Sequence, residues 1–187
     1  QRPAPPPPPK PLPPRVVVID RPGAPQSQLR VGELGAARKT PDFAALSVLE
    51  TVLGGSFTSR LNQNLREKHG YTYGARASFE LRTVTGPFMA AAGVRTDVTA
   101  AALEQTVAEI AGMRAPMSDA ELNKGRLIVT HAIVDAFGDG NEATGYFADL
   151  IAHGLPLGSW SQLPAALAAL DVRALTPATD QKLHPDR

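Results

Sequence analysis

The hydrophobic period of this chain changes abruptly at Gly70, and few folds accommodate such a change. Before it, Leu46, Leu49 and Leu53 recur with Val48 and Val52 at helical spacing, and Leu61 and Leu65 share a face at i, i+4. After it, Tyr71, Tyr73, Ala75, Ala77, Phe79 and Leu81 alternate with Thr72, Gly74, Arg76, Ser78, Glu80 and Arg82. That alternation is the mark of a half-buried antiparallel strand. It puts Tyr73 with Phe79 and Leu81 on the face expected to be buried. A helix, a glycine reversal and a strand therefore form one continuous unit. Gly70 is suited to the left-handed turn that such a junction needs.

The flanking sequence extends the pattern. Val16 to Ile19 is a β-branched run that reads as a strand, broken by the turn chemistry of Asp20 to Pro25. Gln28 to Leu34 reads as a second extended stretch, forming a hairpin or neighbouring strands with the first. Thr40, Pro41 and Asp42 supply a cap, a first-position proline and an acid for a helix that Gly54 and Gly55 stop. Ser56 is positioned to cap the next helix. Thr85, Gly86 and Pro87 turn the chain, and Phe88 to Arg95 returns as a strand of small residues. Thr96 or Asp97 opens a helix carrying Leu103, Val107 and Ile110. Ser118 and Glu121 form a capping box for a helix running to about Phe137. Further helices are expected from Asn141 to Gly154, from Ser159 to Leu170, and after Thr176-Pro177. This order predicts an α+β, two-layer sandwich: a mainly antiparallel sheet with helices packed on one face.

Composition excludes several function classes. The 19 basic and 18 acidic residues leave a formal charge of +1, without the basic footprint of a nucleic-acid binder. There are no cysteines, so disulfide frameworks and thiolate metal sites are excluded. No apolar run approaches the ~18 residues that a membrane span needs. Residues 1–14 hold nine of the eighteen prolines and read as a linker of polyproline type, with a groove-binding PxxP ligand as the alternative. The remainder, 15–187, reads as one domain.

The segment from Gly54 to Gly74 resembles the Arg/Tyr segment of the pitrilysin/insulinase zinc metallopeptidases, which include the mitochondrial processing peptidases. The matching positions are Gly54, Gly55, Ser59, Arg60, Leu61, Leu65, Arg66, Glu67, Gly70 and Tyr73. The phrase DRPGAPQSQLRVG is similar to the opening of that family's second domain. In that family a strand follows the final helix, and His184 to Arg187 resembles the lead-in to it, so that strand is expected to be missing here.

A zinc peptidase needs two histidines at turn spacing with a glutamate base, H-E-x-x-H or the inverted H-x-x-E-H. None of the four histidines stands in either pattern. His131 and Asp135 share a helix face, but two ligands do not make a site. The resemblance accordingly implies a second domain that holds no cofactor, with zinc on a partner domain or subunit and a peptide as substrate. It also implies that Tyr73 donates its hydroxyl to the oxyanion, while Arg66 binds a substrate backbone carbonyl and helps place the tyrosine. Tyr71 is the alternative phenol but falls two residues short of the family spacing. Arg66 near a helix end also serves simply to offset the macrodipole. His69 reads as a solvated helix-end residue, or one lining the substrate cavity. The family's peptide addition to a sheet edge is expected near Phe88 to Val94. An inert assembly module of the same fold is the competing function. A periplasmic setting is suggested by the resemblance alone.

Overall fold

The structure, a computed structural model, describes residues 13–184. Three strands, β1 (Gln26–Leu34), β2 (Thr72–Phe79) and β3 (Pro87–Arg95), form an antiparallel sheet in the order β1-β3-β2. Six α-helices accompany them: α1 (Phe43–Glu50), α2 (Thr99–Gly112), α3 (Asp119–Gly138), α4 (Gly140–His153), α5 (Ser159–Ala169) and α6 (Val172–Lys182). Two wide, π-helical pieces, Thr51–Gly55 and Asn62–Lys68, complete the helical layer. The expected α+β architecture is therefore the observed one.

The core lies between the sheet and the helices. Leu46, Val48, Leu49, Leu53, Leu61 and Leu65 meet Ala75, Ala77, Phe79, Phe88, Ala90 and Val94 there. Small residues set the spacing between layers. A Cβ on Gly54 would stand 2.1 Å from Ala77 N, so the wide turn lies directly on the β2 backbone. Gly125 lets α3 close on Val48 and Val52 in the same way. At the far side, buried Arg38 pairs with Asp149 at 2.9 Å and stacks 4.0 Å over Phe43, tying α4 to the loop before α1.

Several local expectations are corrected. Val16 to Ile19 is not a strand and has no hairpin partner: its side chains are 67–86% exposed, and no sheet edge receives it. A β-branched run favours extended backbone, but only a neighbouring strand makes a ladder. Ser59, not Ser56, sits at the start of the second wide helix, accepting from Asn62 N. Asp171 caps α6 through Ala174 N, and Pro177 lies inside that helix instead of opening it. Neither Thr96 nor Asp97 caps α2, and Asp97 instead pairs with Arg95. The Ser118–Glu121 box, the left-handed Gly154 and the stop at Gly70 stand as expected. The proline-rich segment lies, apart from its last two residues, outside the described residues, as do Pro185 to Arg187.

Candidate active-site segment

The unit around Gly70 is built as a closed hydrogen-bonded corner. Gly70 adopts φ +61°, while His69 N donates to Asn64 O, Gly70 N to Arg66 O and Tyr71 N to Leu65 O at 2.8–3.1 Å. This is a Schellman-type closure, widened by the π-helical turn that precedes it. It delivers Tyr71 straight into β2 after the helix that carries Arg66.

β2 then contains a bulge. Thr72 pairs with Val94 and Ala75 with Ala92, so Tyr73 and Gly74 together oppose Gly93. The Thr72 hydroxyl stands in for the broken ladder, donating to Gly93 O at 2.7 Å and accepting from Gly74 N at 3.1 Å. One extra residue reverses the phase of the alternation. Ala75, Ala77 and Phe79 keep to the core, whereas Tyr73 is turned out and is 91% exposed. The alternation-based expectation that Tyr73 shares the buried face is corrected by this bulge. Tyr71, the alternative phenol, is instead half-buried and stacks on His69 with centroids 4.8 Å apart. His69 is therefore not simply solvated: its Nε2 is shielded and has no partner.

Arg66 lies one turn before the corner with its side chain 33% exposed. Its guanidinium sits 4.2 Å over the Phe57 ring, and its Nε is 3.6 Å from Glu67. Arg66 and Tyr73 are thus both accessible and emerge on either side of one rigid reversal. No direct contact joins them.

Three residues that sequence reasoning missed hold this geometry. Asn62, 6% exposed, accepts from Ala75 N at 2.9 Å and donates to Ala75 O at 3.0 Å, so its amide acts as a one-residue strand partner just past the bulge. It also donates to Ser56 O. Glu50 accepts from Phe79 N at 2.9 Å, and burial pushes its carboxyl up to about 7, partly offset by that hydrogen bond. Thr72 is the third. Gly74 was the available signal, because an isolated glycine within a strand pattern marks a bulge. Nothing in spacing alone pointed to Asn62 or Glu50.

The outer edge of β2 is consequently occupied, by Asn62 at Ala75, by Gly54 at Ala77 and by Glu50 at Phe79. β3, expected to offer an edge at Phe88 to Val94, is the central strand and has no free edge. Among the described residues, the outer side of β1 is the edge without a strand partner.

The donor set does not suit zinc. Among the described residues no three His, Asp or Glu side chains converge. His131 is exposed on α3, His153 pairs with Asp149 at 3.0 Å, and His184 pairs with Glu33 at 3.0 Å. Among the described residues no helix is long and apolar enough to cross a membrane.

A three-stranded antiparallel sheet covered by helices on one face, with Arg66 and Tyr73 on either side of the Gly70 corner at its rim, defines an α+β half-domain. The pattern of the family described as Peptidase M16 inactive domain matches residues 1–128, and the chain belongs to that family. A peptidase M16 inactive domain from Pseudomonas fluorescens is similar, with 26% identity and a TM-score of 0.80 over 86% of this chain and 39% of that one. A protease from Helicobacter pylori shares 21% identity and a TM-score of 0.81, with 89% of this chain and 40% of that one covered. The inactive peptidase domain of a candidate zinc protease from Bordetella parapertussis matches at 18% identity and a TM-score of 0.69, over 90% and 91% of the two chains. The chain spans about two fifths of the length of the first two relatives. No curated protein matches it.

Proposed function

We propose that this chain is the non-zinc-binding domain of a zinc peptidase, lending Arg66 and Tyr73 to peptide hydrolysis at a metal site on another domain or subunit. The observation that carries the reading is the bulge, which spends a ladder position to turn Tyr73 outward. Bulges that re-aim a side chain are over-represented beside active sites. A structural tyrosine at this position would follow the alternation into the core.

Peptide hydrolysis builds negative charge on the former carbonyl oxygen, and a positioned donor there stabilises the transition state more than the substrate. Tyr73 supplies that donor, and its backbone is held in place by the Thr72 hydroxyl and the Asn62 amide. Arg66 offers its N–H groups to a substrate backbone carbonyl. The Phe57 ring beneath limits the guanidinium's freedom, so less entropy is lost on binding. Zinc, supplied by the partner, would polarise the same carbonyl.

The test combines this chain with the zinc-bearing domain of its own protein or its neighbouring subunit and follows cleavage of a quenched peptide. Tyr73→Phe is expected to lower kcat about 10²–10³-fold with little change in KM. Arg66→Ala is expected to raise KM as well. A second reading is an inert assembly module, favoured by the fact that Arg66 already has structural partners in Phe57 and Glu67. Full turnover in both variants would select that reading.

A further inference from the structure

We propose that the uncovered face of the sheet is a recognition surface for acidic polypeptide, with Arg30 and Arg76 as its specificity-determining residues. The strand register carries the argument. Arg30 on β1 and Arg76 on β2 are both paired with Ala91 of β3. Directly opposed residues in antiparallel strands share a face, so the two arginines rise on either side of one methyl group, with Cα atoms about 10 Å apart. This is the face turned away from the helices: Leu29, Ala90, Ala92, Ala75 and Ala77 occupy the other one. Ala91 is 8% exposed yet stands outside the core cluster, as expected if the arginine stems shade it.

Among the described residues, neither arginine is paired with a carboxylate. Arg76 is exposed and has no hydrogen-bond or ion-pair partner among the described residues. Arg30, also exposed, donates among the described residues only to the carbonyl of its neighbour Leu29, at 2.8 Å. The nearby carboxylates are engaged elsewhere: Glu80 with Arg82, Asp97 with Arg95 and Glu33 with His184. Around the two arginines the floor is low at Ala91, bounded on one side by Met89, which stands between Gly32 and Ser78, and on the other by the Gln26 and Gln28 side chains, which lie over Gly93. Two unpaired guanidiniums over a shallow floor are complementary to carboxylate side chains on an extended chain.

The bulge places Tyr73 on this same face, opposite Gly93, one pleat away from the Arg30–Ala91–Arg76 row. Two residues of strand span about 7 Å, which is also the spacing between alternate side chains of an extended peptide. A peptide lying along the strands with its reacting carbonyl at Tyr73 would therefore put a side chain about two positions away above Ala91. Acidic residues at that distance are the favoured substrate class. This last step rests on the catalytic reading of Tyr73, whereas the charge preference of the face does not.

The test is fluorescence anisotropy of the 187-residue chain with a labelled ten-residue Ala/Ser peptide carrying central aspartates, against the same peptide with asparagines. The aspartate peptide is expected to bind at least about fivefold more tightly at low salt, and the difference is expected to shrink in high salt. Arg30→Gln and Arg76→Gln should each remove part of that preference and leave the asparagine peptide unchanged, with native circular dichroism confirming that both variants fold. Equal binding of the two peptides, or a preference that survives the double variant, would overturn the proposal. An oligothymidylate that binds as well as the aspartate peptide would also overturn it, because the face would then be a general anion surface. The binding assay involves no hydrolysis and the charge preference is read from Arg30 and Arg76 alone, whereas the catalytic reading is tested by turnover with the zinc-bearing partner, so loss of the charge preference and failure of the catalytic reading are separate outcomes.

Discussion

Asn62 shows how much of the site depends on one amide. Its carboxamide satisfies both backbone groups of Ala75 at the point where the bulge has disturbed the ladder. Truncation leaves a buried N–H and C=O without partners, each costing about 1–3 kcal/mol. Asn62→Ala is therefore expected to destabilise the domain by about 2–4 kcal/mol in urea unfolding, with the Ala75 amide losing hydrogen-exchange protection. Asn62→Asp keeps the acceptor but removes the donor, so it should recover only part of the loss. An Asn62→Ala domain with unchanged stability and unchanged exchange at Ala75 would show that the amide does not hold the strand. The sequence could not announce this residue. A polar side chain between Leu61 and Leu65 reads as a helix position facing solvent, and only the fold brings Ala75 alongside it.

At the scale of elements, the periods were legible and the interruptions were not. Helical spacing located α1 and the Leu61–Leu65 face, the capping box located α3, and Gly70 and Gly154 took the left-handed conformations that stop their helices. Alternation identified β2 but misplaced Tyr73, because a period of two carries no information about where the count slips. Val16 to Ile19 failed for the complementary reason: strand propensity is local, whereas a ladder needs an edge beside it. Gly54 was legible as a helix stop, yet its stronger constraint is contact with the Ala77 backbone. Gly54→Ala would push the wide turn away from β2, and a loss of about 3 kcal/mol is expected from such overpacking. Gly55→Ala offers the comparison, since beyond its own helix's adjoining backbone its Cβ would meet nothing nearer than Glu50 O at 3.1 Å. A smaller loss there, measured by the same denaturation, separates close approach from simple helix continuation.

For the whole molecule, two carboxylates oppose each other in their effect on stability. Glu50 is raised from 4.5 to about 7 by burial. Between those values the folded state holds a proton that the unfolded chain has lost, so stability falls as pH rises, by up to about 3 kcal/mol in total. Glu121 is lowered to about 2, chiefly by its hydrogen bonds from Arg60 at 2.7 and 3.1 Å. Its contribution is present above 4.5 and is lost as pH falls towards 2. The pair is a third open to solvent on the carboxylate side, so its worth is about 1 kcal/mol or less. Together the two shifts place maximum stability near the ordinary carboxylate pKa, which is lower than for a domain without a buried acid. Glu50→Gln retains an acceptor for Phe79 N and removes the titration. It should leave stability at pH 4 nearly unchanged and raise it at pH 8, flattening the upper limb of the profile. Thermal unfolding of both proteins across that range would reveal the effect, and parallel profiles would mean that Glu50 titrates alike in the folded and unfolded chain.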